Sequence, residues 1–375
     1  MSSYTFEVEQ KELMPVLSLM QPICTKRTTL EVTTYLLLQI GHRELVVKGT
    51  DLEISLQASC SLEKSSAQEQ VSFLVPGKRL YDLLKELEGT LTFTFDNNLL
   101  TIQSGSIDLS LHVKSADDFP QFPERIENLM DIESSFLFFL LSKVIFLIPQ
   151  NNANPSLNGL LLEIEPTYLR MTTTDGHCLA QVTTSRYKLE TSKKWLLPRR
   201  AVFEIKKLLE GNQQSTIFLG VCGNQLVFSG ESFNFFTKLL VNSFPDYQSI
   251  LNKNGYKPAT VNRQTFTKML RRSACLLSHK FIATKFTFFP GILDVSMENN
   301  DIGSLAEQLP IESSLKKDVT MRFYSPYLLS GLQIFSDEEV RFSIYDAQKP
   351  IVFDSESDEC TFLYLVMPVS PQSVS

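Results

Sequence analysis

A chain of 375 residues, 43% hydrophobic and 21% charged, belongs to a folded protein too long for one ordinary core, which points to two or three domains. A formal net charge of -7 argues against a protein that coats nucleic acid indiscriminately, but net charge is a sum and leaves room for a local basic surface. The six cysteines stand singly with no CxxC pair, so nothing supports a zinc site, a thioredoxin-like motif or a disulfide framework.

The N-terminus, MSSYTFEVEQKEL, lacks the basic-then-apolar pattern of a secretory signal. In chain order, the first informative stretch is LVVKGTDLEISLQAS (45–59), a strand pattern that runs into Thr50-Asp51 and out into another strand. VSFLVPGKRLYDLLKELEG (71–89) reads as a strand, then Pro76 in the first helical turn, then an amphipathic helix stopped by Gly89. LTFTFDNNLLTIQSG (91–105) is a hairpin with an Asn-containing turn, and LSLHVKSADDFPQF (109–122) closes on Phe119-Pro120. The most apolar run, SFLFFLLSKVIFLIP (135–149), is broken by Ser142 and Lys143. At 15 residues it falls short of the ~20 needed to span a bilayer, so it predicts a buried helix and a cytoplasmic protein with no membrane partner.

The same series then returns. LRMTTTDGHCLAQVTTS (169–185), KKWLLPRRAVFEIKKLLEG (193–211), TIFLGVCGNQLVFSG (216–230) and TKLLVNSFPDYQSI (237–250) repeat the four stretches in order. Asp51 and Asp175 are 124 residues apart, Pro76 and Pro198 are 122 apart, and Phe119 and Phe244 are 125 apart. Three landmarks at nearly constant spacing define an internal repeat. A fainter third copy has an opening helix in 262–281, the strand DVTMRFY, a helix in 325–335 and the hairpin VRFSIYD-AQK-PIVFDS. Its closing YLVMPV places Met367-Pro368 at an offset of 123 from Phe244-Pro245. The expected architecture is α+β, with three repeated domains of two helices and antiparallel strands at 1–127, 128–253 and 254–375.

The helices share a charge pattern. Lys78 aligns with Arg200 and Lys85 with Lys207, and a spacing of seven residues is about two turns, so each pair occupies one face. Leu80, Leu83 and Leu87 line the opposite face, answered by Val202, Ile205 and Leu209. Arg79, Arg199 and Lys206 add charge nearby, and the third copy contributes Arg263, Lys268, Arg271 and Arg272. The bland reading is a set of solvated helix faces, whereas a basic face repeated inside an acidic protein suits sequence-independent, salt-sensitive contact with phosphates.

Asp175, His177 and Cys178 suggest a thiol nucleophile or a metal site. Against this, neighbouring strand residues face opposite ways, and no HExxH, GxSxG or phosphate loop accompanies them. The first copy has Asp51-Leu52-Glu53 at the same place, keeping only the Asp, which reads as a turn residue bonding local backbone N–H groups.

With threefold repetition, TDGHCLA, LLPRRAVFEIKKLLEG, NSFPDYQSIL and a terminal YLVMPV, the chain resembles the bacterial sliding clamps, the β subunits of DNA polymerase III, over essentially its whole length. The resemblance implies a DNA clamp fold of three domains assembling head-to-tail into a ring-shaped homodimer around duplex DNA. It implies a non-enzymatic processivity factor without cofactor or metal, acting at the nucleoid. The implied DNA contacts are Arg27, Lys78, Arg79, Lys85, Arg199, Arg200, Lys206, Lys207, Arg263 and Arg271. The implied dimer contacts are Leu109 and Leu111 on one side, Cys275 and Leu276 on the other. A partner-peptide groove would use Leu157, Thr174, Gly176, His177, Leu179, Pro245, Ile250, Phe281, Tyr327, Val366, Met367 and Pro368. The implied partners are the replicative polymerase catalytic subunit, the clamp loader, and other polymerases and repair proteins carrying short clamp-binding peptides. Two readings stand beside this one: a divergent clamp-like scaffold that binds partners without encircling DNA, and an enzyme centred on Asp175, His177 and Cys178.

Overall fold

Apolar–polar alternation builds the strands. In Thr90–Asp96 and Leu99–Ser104, Leu91, Phe93, Leu100 and Ile102 are fully buried while the residues between them reach solvent at least in part. A computed structural model describes residues 3–211, 215–277 and 283–369. Leaving aside two-residue strands, the chain three times over forms a strand, a helix, four strands, a second helix and three strands.

In the first copy these are Tyr4–Glu9, helix α1 (Gln10–Cys24), Tyr35–Ile40, Glu44–Thr50, Ile54–Ser61, Val71–Pro76, helix α2 (Gly77–Leu84), Thr90–Asp96, Leu99–Ser104 and Ile107–His112. The second copy runs from Glu127–Glu133 through helix α3 (Ser134–Val144) and helix α4 (Arg199–Glu210) to Phe233–Lys238. The third runs from Lys257–Asn262 through helix α5 (Arg263–Ala274) and helix α6 (Ser325–Leu332) to Cys360–Val366. The expected α+β plan is present, and the apolar run at 135–149 is α3 followed by a short 3-10 turn at Ile145–Leu147.

Two details differ from the sequence reading. Pro76 and Pro198 end strands rather than opening helices, and Pro76 holds an extended ψ of 106° immediately before α2. Helix α2 stops at Leu84, and the chain then tightens through 3-10-type bonds from Glu86 N to Leu83 O and Leu87 N to Leu84 O. That shift makes Leu80, Leu84 and Leu87 the buried positions, with Leu83 only half-buried.

The chain divides into two compact units, Met1–Leu137 with Lys207–Leu239, and Phe138–Lys206 with Leu240–Ser375. The first contains a five-stranded sheet ordered Lys64–Ser65, Tyr4–Glu9, Thr90–Asp96, Leu99–Ser104, Ile107–His112. It also holds a nine-stranded sheet in which Ile54–Ser61 of the first copy pairs antiparallel with Phe233–Lys238 of the second, Phe233 opposite Ala58. The second unit repeats this plan. Its nine-stranded sheet joins Cys178–Thr184 to Cys360–Val366, Cys178 opposite Val366, and its four-stranded sheet ends on the edge strand Gly303–Pro310. One rule covers both junctions: the fourth strand of one copy pairs with the last strand of the next.

Candidate functional site

The strands Leu169–Thr174 and Cys178–Thr184 are joined by a turn that Asp175 organises. Its Oδ1 accepts the backbone N–H of His177 at 2.8 Å and of Cys178 at 2.7 Å, and the N–H of Gly176 donates to Thr174 Oγ1 at 3.1 Å. The first copy repeats this almost atom for atom. Asp51 Oδ1 accepts from Glu53 N at 3.0 Å and Ile54 N at 2.8 Å, and Leu52 N donates to Thr50 Oγ1 at 3.1 Å. Both turns need a left-handed residue after the Asp, Gly176 at φ +94° and Leu52 at φ +74°. In the third copy Asn299 does related work, accepting Asp301 N at 3.1 Å, and it lies 124 residues after Asp175. Constant spacing was the signal that would have found it.

This geometry argues against thiol chemistry. Cys178 is 1% exposed and burial pushes its thiol far above the ordinary value, so the thiolate is not available. His177 is exposed and stacked on Tyr327 with ring centroids 5.6 Å apart. Among the described residues no cluster of His, Cys, Asp and Glu is arranged to hold a metal.

Above the turn lies an apolar concavity of ≈ 290 Å³. Leu157, Thr174, Gly176, His177, Leu179, Pro245, Ile250 and Met367 line it together, as the sequence reading grouped them. Asn154, Cys178, Phe244, Asp246, Tyr247 and Leu365 also line it and were not anticipated. Val366 does not. It is fully buried opposite Cys178, and strand alternation turns Leu365 toward the concavity in its place. Tyr327 lies beside the concavity against His177, whereas Pro368 lines a separate depression with Arg322 and Val369. Phe281 lies outside the described residues.

The floor is an apolar cluster of Leu161, Leu179, Leu196, Tyr247, Val352 and Leu365, on which Phe244 and Met367 pack. Phe244 meets Tyr247 edge-on at 5.9 Å. Within the cluster the Tyr247 hydroxyl donates to Glu163 Oε2 at 2.7 Å, and burial pushes that hydroxyl up to about 12.

The basic residues fall into two groups. Arg27, Lys78, Arg79, Lys85, Lys207 and Arg271 are exposed, and none makes a side-chain hydrogen bond or ion pair with another described residue. The others are engaged or partly covered. Arg263 donates to the carbonyls of Asp337 at 2.8 Å and Ser336 at 3.3 Å, and Arg199 donates to Ile148 O at 3.1 Å. Lys206 lies 5.2 Å from the Phe138 ring, and Arg200 is half-buried. Arg272 makes a forked pair with Glu307, one arm 2.9 Å long. Leu109 and Leu111 sit on the edge strand Ile107–His112, while Cys275 and Leu276 follow α5, Cys275 exposed.

Three family models match in succession: the N-terminal domain of the DNA polymerase III beta subunit over residues 4–123, its central domain over 131–246 and its C-terminal domain over 248–370. The chain belongs to the DNA polymerase III beta subunit family. It is 28% identical over 367 residues to the beta sliding clamp of Proteus mirabilis and 27% over 371 residues to that of Pseudomonas putida, in both cases spanning 97% of this chain and 99% of the relative. The crystal structure of the Pseudomonas aeruginosa sliding clamp bound to griselimycin is 26% identical, with a TM-score of 0.89 over 98% of this chain and all of that one. A beta subunit of this family is a processivity clamp and not a catalyst, so the apparent Asp-His-Cys trio belongs to a turn.

Proposed function

We propose that the chain works as a head-to-tail homodimer that closes around duplex DNA and tethers the replicative polymerase through the concavity beside Asp175. The repeated exposed cations carry the DNA half of this reading. Lys78, Arg79, Lys85, Lys207 and Arg271 have no internal partner among the described residues, so they are free to meet phosphates loosely, without reading bases. A loose fit suits a ring, because topology rather than affinity then keeps the protein on DNA. The three working domains are 1–127, 128–253 and 254–375.

The sheet-pairing rule supports closure. Both internal junctions pair a fourth strand with a last strand, which leaves Gly303–Pro310 and Ile107–His112 as the equivalent strands without such a partner among the described residues. Two copies satisfy both edges by pairing them across a two-fold axis, which brings Leu109 and Leu111 near Cys275 and Leu276.

The concavity accepts short apolar peptide segments from the polymerase catalytic subunit, the clamp loader and other polymerases and repair proteins, which compete for it. Griselimycin is expected to bind there and to displace such peptides. The protein acts in the cytoplasm at the nucleoid. No helix of the described residues is long and apolar enough to cross a membrane.

The deciding experiment loads the protein onto nicked circular DNA with a clamp loader and ATP, then linearises the DNA. Retention on the circle and release from the linear form is the expected result. Dimers that never remain on the circle support the scaffold reading instead.

A further inference from the structure

The concavity stands on a buried polar support that its lining does not explain. Glu163 is only 6% exposed, in the strand Gly159–Ile164 between Leu169–Thr174 and Lys193–Pro198. Its two oxygens are used separately: Oε2 accepts the Tyr247 hydroxyl at 2.7 Å, and Oε1 faces Lys194 Nζ at 3.1 Å from the neighbouring strand. Thr172 Oγ1 approaches the same hydroxyl at 3.4 Å, and Gln181 Nε2 donates to Thr172 Oγ1 at 3.0 Å. A carboxylate buried under an apolar floor is costly unless it is fully paired, and a Phe at 247 would fill the floor without needing it. The arrangement therefore has a purpose beyond filling space.

Tyr247 supplies the link. Its ring is part of the floor, and it closes the segment that carries Phe244, Pro245 and Asp246 along one wall. That segment has no strand or helix of its own before Gln248–Leu251, so ladder hydrogen bonds do not hold it. Besides the packing of Leu240, Phe244 and the Tyr247 ring, its hydrogen-bonded anchors to the sheet are the Tyr247 hydroxyl and the Leu240 N–H, which donates to Leu196 O at 2.9 Å. We propose that Glu163, held by Lys194, is a positioning residue that sets the depth and wall spacing of the concavity by fixing the Tyr247 hydroxyl, and so governs affinity for the apolar anchors of a bound partner. The bound chain touches the Tyr247 ring and never meets Glu163.

This rests on the reading of the concavity as the docking site, and the experiment separates the two. Griselimycin affinity is measured by calorimetry on the full-length protein, with thermal melting followed alongside. Ile250→Asp, an exposed lining residue, tests the site itself: loss of binding keeps the docking reading, and wild-type affinity removes it. For the positioning role, Tyr247→Phe keeps the ring and deletes only the hydroxyl, and is expected to weaken binding about fivefold to tenfold. Glu163→Leu is expected to do at least as much, whereas Glu163→Gln retains an oxygen to accept the hydroxyl and is expected to stay within about twofold of wild type. A purely structural role predicts that affinity ignores these changes while melting moves. Wild-type affinity in Tyr247→Phe, with binding abolished by Ile250→Asp, overturns the proposal.

Discussion

Single residues carry the repeat more faithfully than their neighbourhoods do. Asp51 and Asp175 were legible as turn residues because an Asp returning without its His and Cys cannot be serving shared chemistry, and each proves to accept two backbone N–H groups. Asp51→Ala is expected to destabilise the protein by about 2–3 kcal/mol, since its buried carboxylate satisfies two backbone donors, of which the Ile54 N–H is itself buried. Asp175→Ala, more open, is expected to cost about 1–2 kcal/mol and to loosen the concavity, both measurable by urea unfolding. Leu365 was not legible. The repeated Pro fixes the end of the closing strand, but which of two successive apolar residues faces the concavity depends on register across the sheet, which only pairing with Cys178–Thr184 decides. The buried thiols give a pH prediction. Burial raises Cys24 to about 11 and Cys60 to about 12, above their ordinary value of 9.0. Below pH 9 folded and unfolded chains both hold these protons, so the thiols leave stability unchanged. Above it the unfolded chain releases protons that the fold retains, so stability falls as pH rises through 11 and 12. In alkaline urea titrations, Cys60→Ala is expected to flatten that decline.

At the scale of elements, the helices show what amphipathic patterning can and cannot say. It located helices α2, α4 and α5 and the apolar face of α4, because burial of one stripe is a local property of spacing, but on α2 it put Leu83 where the structure buries Leu84. It did not separate free cations from engaged ones, since Arg263 is bound by the carbonyls of Ser336 and Asp337, some seventy residues further along the chain. The two groups should behave differently. Replacing Lys78, Lys85 and Lys207 by Ala is expected to weaken binding to duplex DNA at low salt. The slope of log affinity against log salt should fall by about 0.9 for each phosphate that is no longer neutralised. Arg263→Ala is expected to lower the melting temperature by releasing the 336–337 loop, with little change in that slope. Fluorescence anisotropy across a salt series, with melting curves beside it, checks both. Equal slopes in the two sets would remove α2 and α4 from the DNA surface.

For the whole molecule, the repeats in the sequence and the compact units in space do not coincide, and the reason is sheet continuity. The second copy contributes Phe233–Lys238 to one nine-stranded sheet and Cys178–Thr184 to the other, so its two sheet halves belong to different units. Sequence repetition reports ancestry and local patterning, whereas compactness follows hydrogen-bonded ladders and the apolar faces they carry. The same ladders predict the assembly. Each internal junction is an antiparallel pair between equivalent strands, and a third pair of the same type closes the series only if Ile107–His112 of one chain meets Gly303–Pro310 of another. Leu109 and Leu111 stand opposite Ile102 and Leu100 on that edge strand and remain only half-buried, as expected of side chains awaiting a neighbour. Equilibrium sedimentation of the wild type is therefore expected to give about twice 42.6 kDa. Leu109→Lys with Leu111→Lys adds charge to the edge while keeping the buried Leu100 and Ile102 of the neighbouring strand, and is expected to bring the mass to that of one chain while circular dichroism keeps its strand signal. The concavity should survive in that monomer, because it is lined by residues of a single unit. Retention on circular DNA should not survive, because an open edge leaves nothing to close. A monomeric double variant still retained on circles would mean that the chain holds DNA by contact rather than by enclosure.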